Sequence, residues 1–128
     1  MIKQLLPLLC LSFFANEGLA QTHFPNKPIR IIVPFPAGAA ADNALRPIAR
    51  KLGERLGQAI VVDNRPGVQG ILAVSTAPPD GYTLLLGAGS SIVTGPLMNS
   101  KLPYNVSRDF AAVGRLLINV PVLTVHPA

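Results

Sequence analysis

The stretch from Ile29 to Asp42 most constrains the fold of this chain. It begins with a β-branched apolar run, Ile29–Val33, which predicts a buried strand. Two prolines end that run, a tract of small residues follows, and Asp42 is predicted as the N-cap of a helix. Apolar side chains then recur with helical spacing up to Leu56, and Gly57 is expected to end the helix. The pattern therefore predicts a strand that passes through a small-residue loop into a helix N-terminus.

Strands and helices alternate along the rest of the chain. Ala59–Val62 and Tyr82–Leu86 are predicted as strands, with a short helix between them over Gly70–Ala77. Further strands are expected at Ala112–Ile118 and Val122–Val125. This order predicts an α/β fold with a mainly parallel sheet and right-handed crossovers. Glycine-rich loops follow the first and third strands, so we expect both at the carboxyl edge of the sheet, where open α/β sheets bind ligands.

The two loops offer hydrogen-bond donors and no reactive side chain. Backbone N–H groups at a helix N-terminus have no partner within the helix and can hold an anion, which applies here to Gly38–Ala41. Small side chains let a ligand approach closely, and Ser90 and Ser91 would add hydroxyl donors from the second loop. Spacing alone leaves open the alternative that both loops are tight turns required by packing. The first interpretation predicts that this edge binds a carboxylate.

Motifs for covalent or cofactor chemistry are missing from the sequence. No G-x-G-x-x-G follows the first strand, no G-x-x-x-x-G-K-[ST] occurs, and the second loop does not match G-x-S-x-G. His23 and His126 are more typical of surface residues than of a catalytic base, and no cluster has metal-ligand spacing. We therefore expect no catalytic residue, metal or cofactor. A small exported serine hydrolase that uses Ser90 or Ser91 is the less favoured alternative.

Basic residues outnumber acidic ones, 11 to 6, which gives a formal net charge of +5. Arg46, Arg50, Lys51 and Arg55 cluster on one predicted helix, where a solvated face is more common than a nucleic-acid interface. The few aromatic residues are not interleaved with these basic residues, so stacking on bases is not expected. The positive field favours small anionic solutes instead of nucleic acid.

The first twenty residues are predicted to be a signal peptide. Lys3 supplies a positive n-region, Leu5–Ala15 is an apolar h-region, and Gly18–Ala20 fits the small-x-small cleavage rule. The mature chain would then begin at Gln21. Cys10, which is the one cysteine, lies within this segment, so the mature chain would have no disulfide. Together these features predict a bacterial periplasmic protein.

Several segments of the mature chain resemble one known family, the periplasmic substrate-binding proteins of tripartite tricarboxylate transporters, or Bordetella uptake gene family. The resemblance spans essentially all of Phe24–Ala128. The matching segments are Phe24–Arg30, Val33–Gly38 with Asp42, Val62–Gly67, Pro79–Leu84, Lys101–Tyr104 and Asp109–Phe110. The order of Asn-Arg-Pro-Gly and Pro-Asp-Gly-Tyr-Thr-Leu is specific to this family.

The resemblance implies a two-lobe periplasmic-binding-protein architecture and a role in uptake. Members close around a small organic acid, commonly a di- or tricarboxylate or an acidic amino acid, and deliver it to a pair of membrane permease subunits. The ligand carboxylate is held largely by backbone groups of the loops after the first and third strands. Carried over to this chain, the implied ligand-binding residues are Phe35, Ala37, Gly38, Ala39, Ala40, Asp42, Ala88, Gly89, Ser90 and Ser91.

The chain departs from the family pattern in its first loop and in its length. Ala39, Ala40 and Ala41 stand where the family has two glycines and a threonine, and alanine resists the positive φ that glycine accepts. The family's chains are more than twice as long. Residues 21–128 are therefore expected to be the N-terminal part of a first lobe, with the second lobe absent and the chain truncated. An inactive remnant of such a receptor is the main alternative.

Overall fold

Three parallel strands form the centre of the protein. The computed structural model describes residues 23–118, so the predicted signal peptide and the predicted strand Val122–Val125 lie outside the described residues. The strands are β1 (Ile29–Val33), β2 (Ile60–Asn64) and β3 (Thr83–Leu85), and their order in the sheet is β2-β1-β3. Both pairings are parallel, as predicted. β2 extends two residues beyond its predicted end, and β3 is one residue shorter at each end.

Two longer helices connect these strands, and short helical segments follow them. The elements are α1 (Ala40–Leu56), α2 (Val68–Ser75), a π-helical turn (Ser90–Thr94), α3 (Gly95–Met98) and α4 (Val106–Asp109). α1 continues through Pro47 and ends at Gly57, whose φ of 65° suits the glycine predicted there. The predicted helix over Gly70–Ala77 begins and ends two residues earlier in the structure.

The core forms where α1 packs on the sheet. Leu45 of α1 is buried against Ile31 and Val33 of β1 and Leu86 beyond β3. Because β1 is the first strand and lies in the middle, right-handed crossovers to β2 and then to β3 place α1 and α2 on opposite faces. Ile71 of α2 is buried on the second face. The three layers, helix, sheet and helix, confirm the predicted α/β fold.

Three predictions about local structure are wrong. Asp42 is not the N-cap of α1, because the N-cap is Ala39 and Asp42 is the third helical residue. Residues 112–118 form no strand, because none of the described strands pairs with them and all seven are exposed. Ser90 and Ser91 do not lie in an open loop but begin the π-helical turn.

The helices in the described part of the chain are too short or too polar to cross a membrane.

Candidate functional site

The loops after β1 and β3 leave the same edge of the sheet. β1 pairs in parallel with β3, with Ile31 opposite Leu84, so both strands point the same way and their carboxyl ends are neighbours. β2 also pairs in parallel with β1, so the segment after Asn64 leaves this edge too. The strand order reverses at β1, which is the point where open α/β sheets bind ligands. We call this edge, with its three loops, the carboxyl edge.

The first loop is held by the buried carboxylate of Asp42. This residue is 0% exposed, and its Oδ2 atom accepts hydrogen bonds from Gly38 N at 2.8 Å and from Arg46 Nε at 2.9 Å. Its Oδ1 atom accepts a hydrogen bond from Asn64 Nδ2 at 3.1 Å. The backbone N–H of Gly38, and then Arg46, lower the pKa of Asp42 below its ordinary value of 3.8. Asp42 thus stays ionised, and its buried carboxylate holds the backbone of the first loop at Gly38.

Asn64 connects the end of β2 to this loop. Its Nδ2 atom also donates to the carbonyl oxygen of Phe35 at 3.2 Å, and its Oδ1 atom accepts from Arg46 Nη2 at 3.1 Å. Buried polar groups that are all hydrogen-bonded hold a structure in one arrangement. The position of Phe35 therefore depends on Asn64, which the prediction of site residues did not include.

The alanines of the first loop require no strained backbone. Gly38 has a φ of 81°, a conformation that favours glycine, and no other residue type among residues 23–118 has a positive φ. Ala39 has φ −63° and ψ 158°, which any residue adopts. Ala40 and Ala41 are the first two residues of α1. The one position that needs glycine retains it, so the alanines do not disturb this loop.

Backbone donors remain open at the start of α1. Gly38 N–H donates to Asp42 and Ala39 N–H donates to the carbonyl oxygen of Pro36 at 3.2 Å, so both are used within the loop. In the described structure no acceptor contacts the N–H groups of Ala40, Ala41 or Asp42. The open donors thus begin at Ala40, two residues later than Gly38, where the sequence had suggested that they begin.

The two serines of the second loop differ in whether their hydroxyl groups have a hydrogen-bond partner. Ser91 Oγ donates to the carbonyl oxygen of Ala88 at 3.1 Å and accepts from Ala88 N at 3.3 Å. Tyr104 Oη donates to the carbonyl oxygen of Ser91 at 2.7 Å. The hydroxyl of Ser90 contacts no partner within residues 23–118, and neither do the N–H groups of Gly89 and Ser90. Ser90 is therefore the open donor of this loop.

A depression of about 360 Å³ lies at the carboxyl edge, and we call it the edge depression. All three loops contribute to its wall, together with α2, α3 and the segment that follows α3. The lining residues are Pro34, Phe35, Gly67, Val68, Ile71, Ser90, Ser91, Gly95, Met98, Asn99, Leu102 and Tyr104. Its volume is within the range of small-molecule sites.

A family model, the tripartite tricarboxylate transporter family receptor, matches residues 44–128. A Bordetella bronchiseptica protein of the UPF0065 group is 44% identical over 109 residues, which cover 83% of this chain. The chain belongs to the tripartite tricarboxylate transporter receptor family.

Two solved structures are similar to this chain over most of its described residues. MatC from Rhodopseudomonas palustris, solved with bound malate, is 34% identical, with a TM-score of 0.62 over 68% of this chain and 31% of its own. The R. palustris protein Rpa4515, solved with adipate, is also 34% identical, with a TM-score of 0.60 over 66% of this chain and 29% of its own. The described lobe is thus a periplasmic-binding-protein fold.

The chain spans about a third of the relatives that it matches. It covers 32% of the B. bronchiseptica protein. Members of the tripartite tricarboxylate transporter receptor family are periplasmic solute-binding proteins and not enzymes.

In this chain His23, which is the one histidine of residues 23–118, precedes the amino end of β1, whereas Ser90 and Ser91 follow the carboxyl end of β3. The serine hydrolase alternative therefore has no base beside its nucleophile in the described structure.

The structure separates the predicted ligand-binding residues of this chain into two groups. Phe35, Ser90 and Ser91 line the edge depression. The other predicted residues lie at the carboxyl edge but do not line the depression: Ala37, Gly38, Ala39, Ala40, Asp42, Ala88 and Gly89. Of these, Asp42 is buried beneath the first loop. No group of three His, Cys, Asp or Glu residues within 23–118 is placed to hold a metal ion.

The part of the wall that α2 and α3 supply is not among the ligand-binding residues predicted from the sequence. Val68 and Ile71 come from α2, and Met98 ends α3. One signal in the sequence pointed to this region, because the segment after the second parallel strand must also leave the carboxyl edge. Gly67 and Val68 follow that strand directly. The contribution of Met98 had no comparable signal.

Proposed function

We propose that this chain is the N-terminal part of an extracytoplasmic solute receptor that binds a small organic carboxylate. The protein would reach the periplasm through a signal peptide cleaved after Ala20. It would deliver its solute to the membrane permease subunits of a tripartite tricarboxylate-type transporter. The observation that carries this proposal is the pair of adjacent loops with open donors at the carboxyl edge.

The donors at this edge suit an anion in number and kind. The N–H groups of Ala40, Ala41 and Asp42 belong to the first turn of α1, where the helix dipole adds a partial positive charge. Ser90 adds a hydroxyl from the second loop. A carboxylate has two oxygens with about four lone-pair directions, so it can accept from both loops. These donors support carboxylate binding without a cationic side chain.

The buried charge beneath the first loop does not oppose an anion. Arg46 Nε lies 2.9 Å from the Asp42 carboxylate, so the negative charge is paired. The formal charge of the whole chain, +5, adds a favourable field. Relatives at 34% identity were solved with malate and with adipate, both small carboxylates. These observations support the same class of solute for this chain.

Isothermal titration calorimetry tests the proposal. The mature chain, residues 21–128, is titrated with adipate, malate, citrate, glutamate and hexanoate, with glucose as a neutral control. We expect heat from at least one acid and none from glucose. If no acid gives heat, the chain is not a carboxylate receptor by itself, and the inactive-remnant alternative is supported instead.

A further inference from the structure

A short π-helical turn sets the position of Ser90 at the edge depression. The turn runs over Ser90–Thr94, and the N–H of Gly95 donates to the carbonyl oxygen of Ser90, which is the five-residue spacing of a π-helix. A Cβ atom at Gly95 would lie 2.6 Å from that oxygen, so this close approach needs glycine. Because π-helical turns are rare and occur frequently at functional sites, the contacts that hold this one are of interest.

The carbonyl oxygen of Ser91 finds its donor outside the turn. The N–H of Gly95, which an α-helix would direct to this oxygen, donates to Ser90 instead. The residue at the π-helical spacing from Ser91 is Pro96, which has no N–H group. Tyr104 supplies the donor, with its Oη atom 2.7 Å from the Ser91 carbonyl oxygen. The turn thus depends on a hydroxyl group that lies 13 residues later in the chain.

Packing holds Tyr104 where it can donate. Tyr104 is 8% exposed, and its ring lies edge-on to Phe110, with 6.2 Å between the ring centroids and 88° between the ring planes. The Oγ atom of Ser91 in turn is hydrogen-bonded to the backbone of Ala88, two residues before Ser90. Contacts therefore run from the buried ring of Tyr104 through Ser91 to the segment that carries Ser90.

We propose that Tyr104 is a positioning residue, whose hydroxyl fixes the π-helical turn so that the donors of Ser90 stay at the edge depression. This inference rests on the proposed function and identifies a residue that controls the geometry of its site. Tyr104 acts through the Ser91 carbonyl, and without the hydroxyl this partly buried acceptor would lose its hydrogen bond, which favours a shift of the turn toward water. Lys101–Tyr104 is one of the segments that resemble the family, and this role accounts for its tyrosine.

Tyr104→Phe removes the hydroxyl and keeps the ring. The matched control is Tyr82→Phe, because the Tyr82 hydroxyl also makes hydrogen bonds, with Asn26 at 2.8 and 2.9 Å, but lies at the amino end of β3. Calorimetry measures how tightly each mature variant binds the acid panel (adipate, malate, citrate, glutamate and hexanoate). We expect Tyr104→Phe to weaken binding about threefold to tenfold and Tyr82→Phe to leave it unchanged. Equal affinities for the two variants overturn the inference and leave the proposed function standing.

Amide hydrogen exchange without ligand shows whether the hydroxyl acts through the turn. In Tyr104→Phe we expect the N–H groups of Ile92 and Gly95, which donate to Ala88 and Ser90, to exchange about threefold to tenfold faster than in the unmutated chain. In Tyr82→Phe they should exchange at the unmutated rate, and equal acceleration in both variants overturns the inference. Weaker binding by Tyr104→Phe with unchanged exchange also overturns it, because the hydroxyl would then contact the acid directly. An unmutated chain that gives no heat with any acid contradicts the proposed function, and the inference falls with it.

Discussion

Replacing Ala40 with proline removes one backbone donor from the carboxyl edge without removing a side chain that packs. Ala40 is the first residue of α1 and is exposed, and its N–H group has no acceptor in the described structure. Proline is well tolerated at this helical position, because the helix does not use that N–H group. Ala39 already has φ −63° and ψ 158°, which is the conformation that a following proline requires. The substitution should therefore leave the fold intact.

The expected effect on binding follows from the hydrogen bond that is lost. A hydrogen bond to a charged group contributes about 1.5–3 kcal/mol, so losing one from a bound carboxylate should weaken binding about 10- to 150-fold. The free energy of unfolding should change by less than about 0.5 kcal/mol. Ala40→Ser is the matched control, since it alters the side chain at the same place and keeps the N–H group. Its carboxylate affinity should equal that of the unmutated chain.

Calorimetry with the best-bound acid of the panel measures the affinity, and urea unfolding followed by circular dichroism measures the stability. The reasoning is refuted if Ala40→Pro binds the acid as tightly as Ala40→Ser while both variants remain as stable as the original chain. In that case the start of α1 does not contact the carboxylate. If both variants lose affinity equally, the side chain and not the N–H group is responsible.

Three further predictions concern the core, the first loop and the buried carboxylate. Leu45→Ala should lower the free energy of unfolding by about 2–5 kcal/mol, because this side chain is 2% exposed and its truncation leaves a cavity; a loss below about 1 kcal/mol in urea unfolding would contradict the packing of α1. Gly38→Ala and Gly57→Ala should each lower the free energy of unfolding by about 1 kcal/mol. The added Cβ atom would meet nothing within 4 Å at either position, so the cost comes only from the positive φ, 81° at Gly38 and 65° at Gly57. Thermal melts of the two variants should agree, and only Gly38→Ala should weaken carboxylate binding. Asp42→Asn should flatten the acid side of the stability–pH profile. The pKa of Asp42 is lower in the folded state than its ordinary value of 3.8, so the ionised carboxylate contributes its full share of the folding stability above pH 3.8 and loses it as the pH falls through the folded pKa. Asp80→Asn is the control, because Asp80 belongs to a solvent-exposed ion pair and its loss should flatten the profile less. Equal flattening by the two substitutions would show that Asp42 is not held as described.

The elements that the sequence predicted well are those whose signal is local. β1 has its predicted bounds, and α1 ends at the predicted glycine, because a β-branched run and helical apolar spacing act over a few neighbouring residues. The alternating order also sufficed to predict a parallel sheet with both loops at one edge. The apolar run at 112–118 carries the same local signal as β1, but in the described structure no strand lies beside it to pair with. An apolar run without a pairing partner does not form a strand.

The sequence by itself determined the family, the order of the first three strands and the two helices between them, and the edge where a carboxylate would be sought. Only the tertiary structure decided what lies at that edge. Asp42 is buried, and its carboxylate accepts a hydrogen bond from Asn64, which lies 22 residues later and is brought there by the pairing of β2 with β1. The apolar wall of the edge depression likewise needs α2 and α3 folded against the loops. Hydrogen bonds and burial between residues distant in sequence depend on strand register and helix packing, which no local pattern encodes.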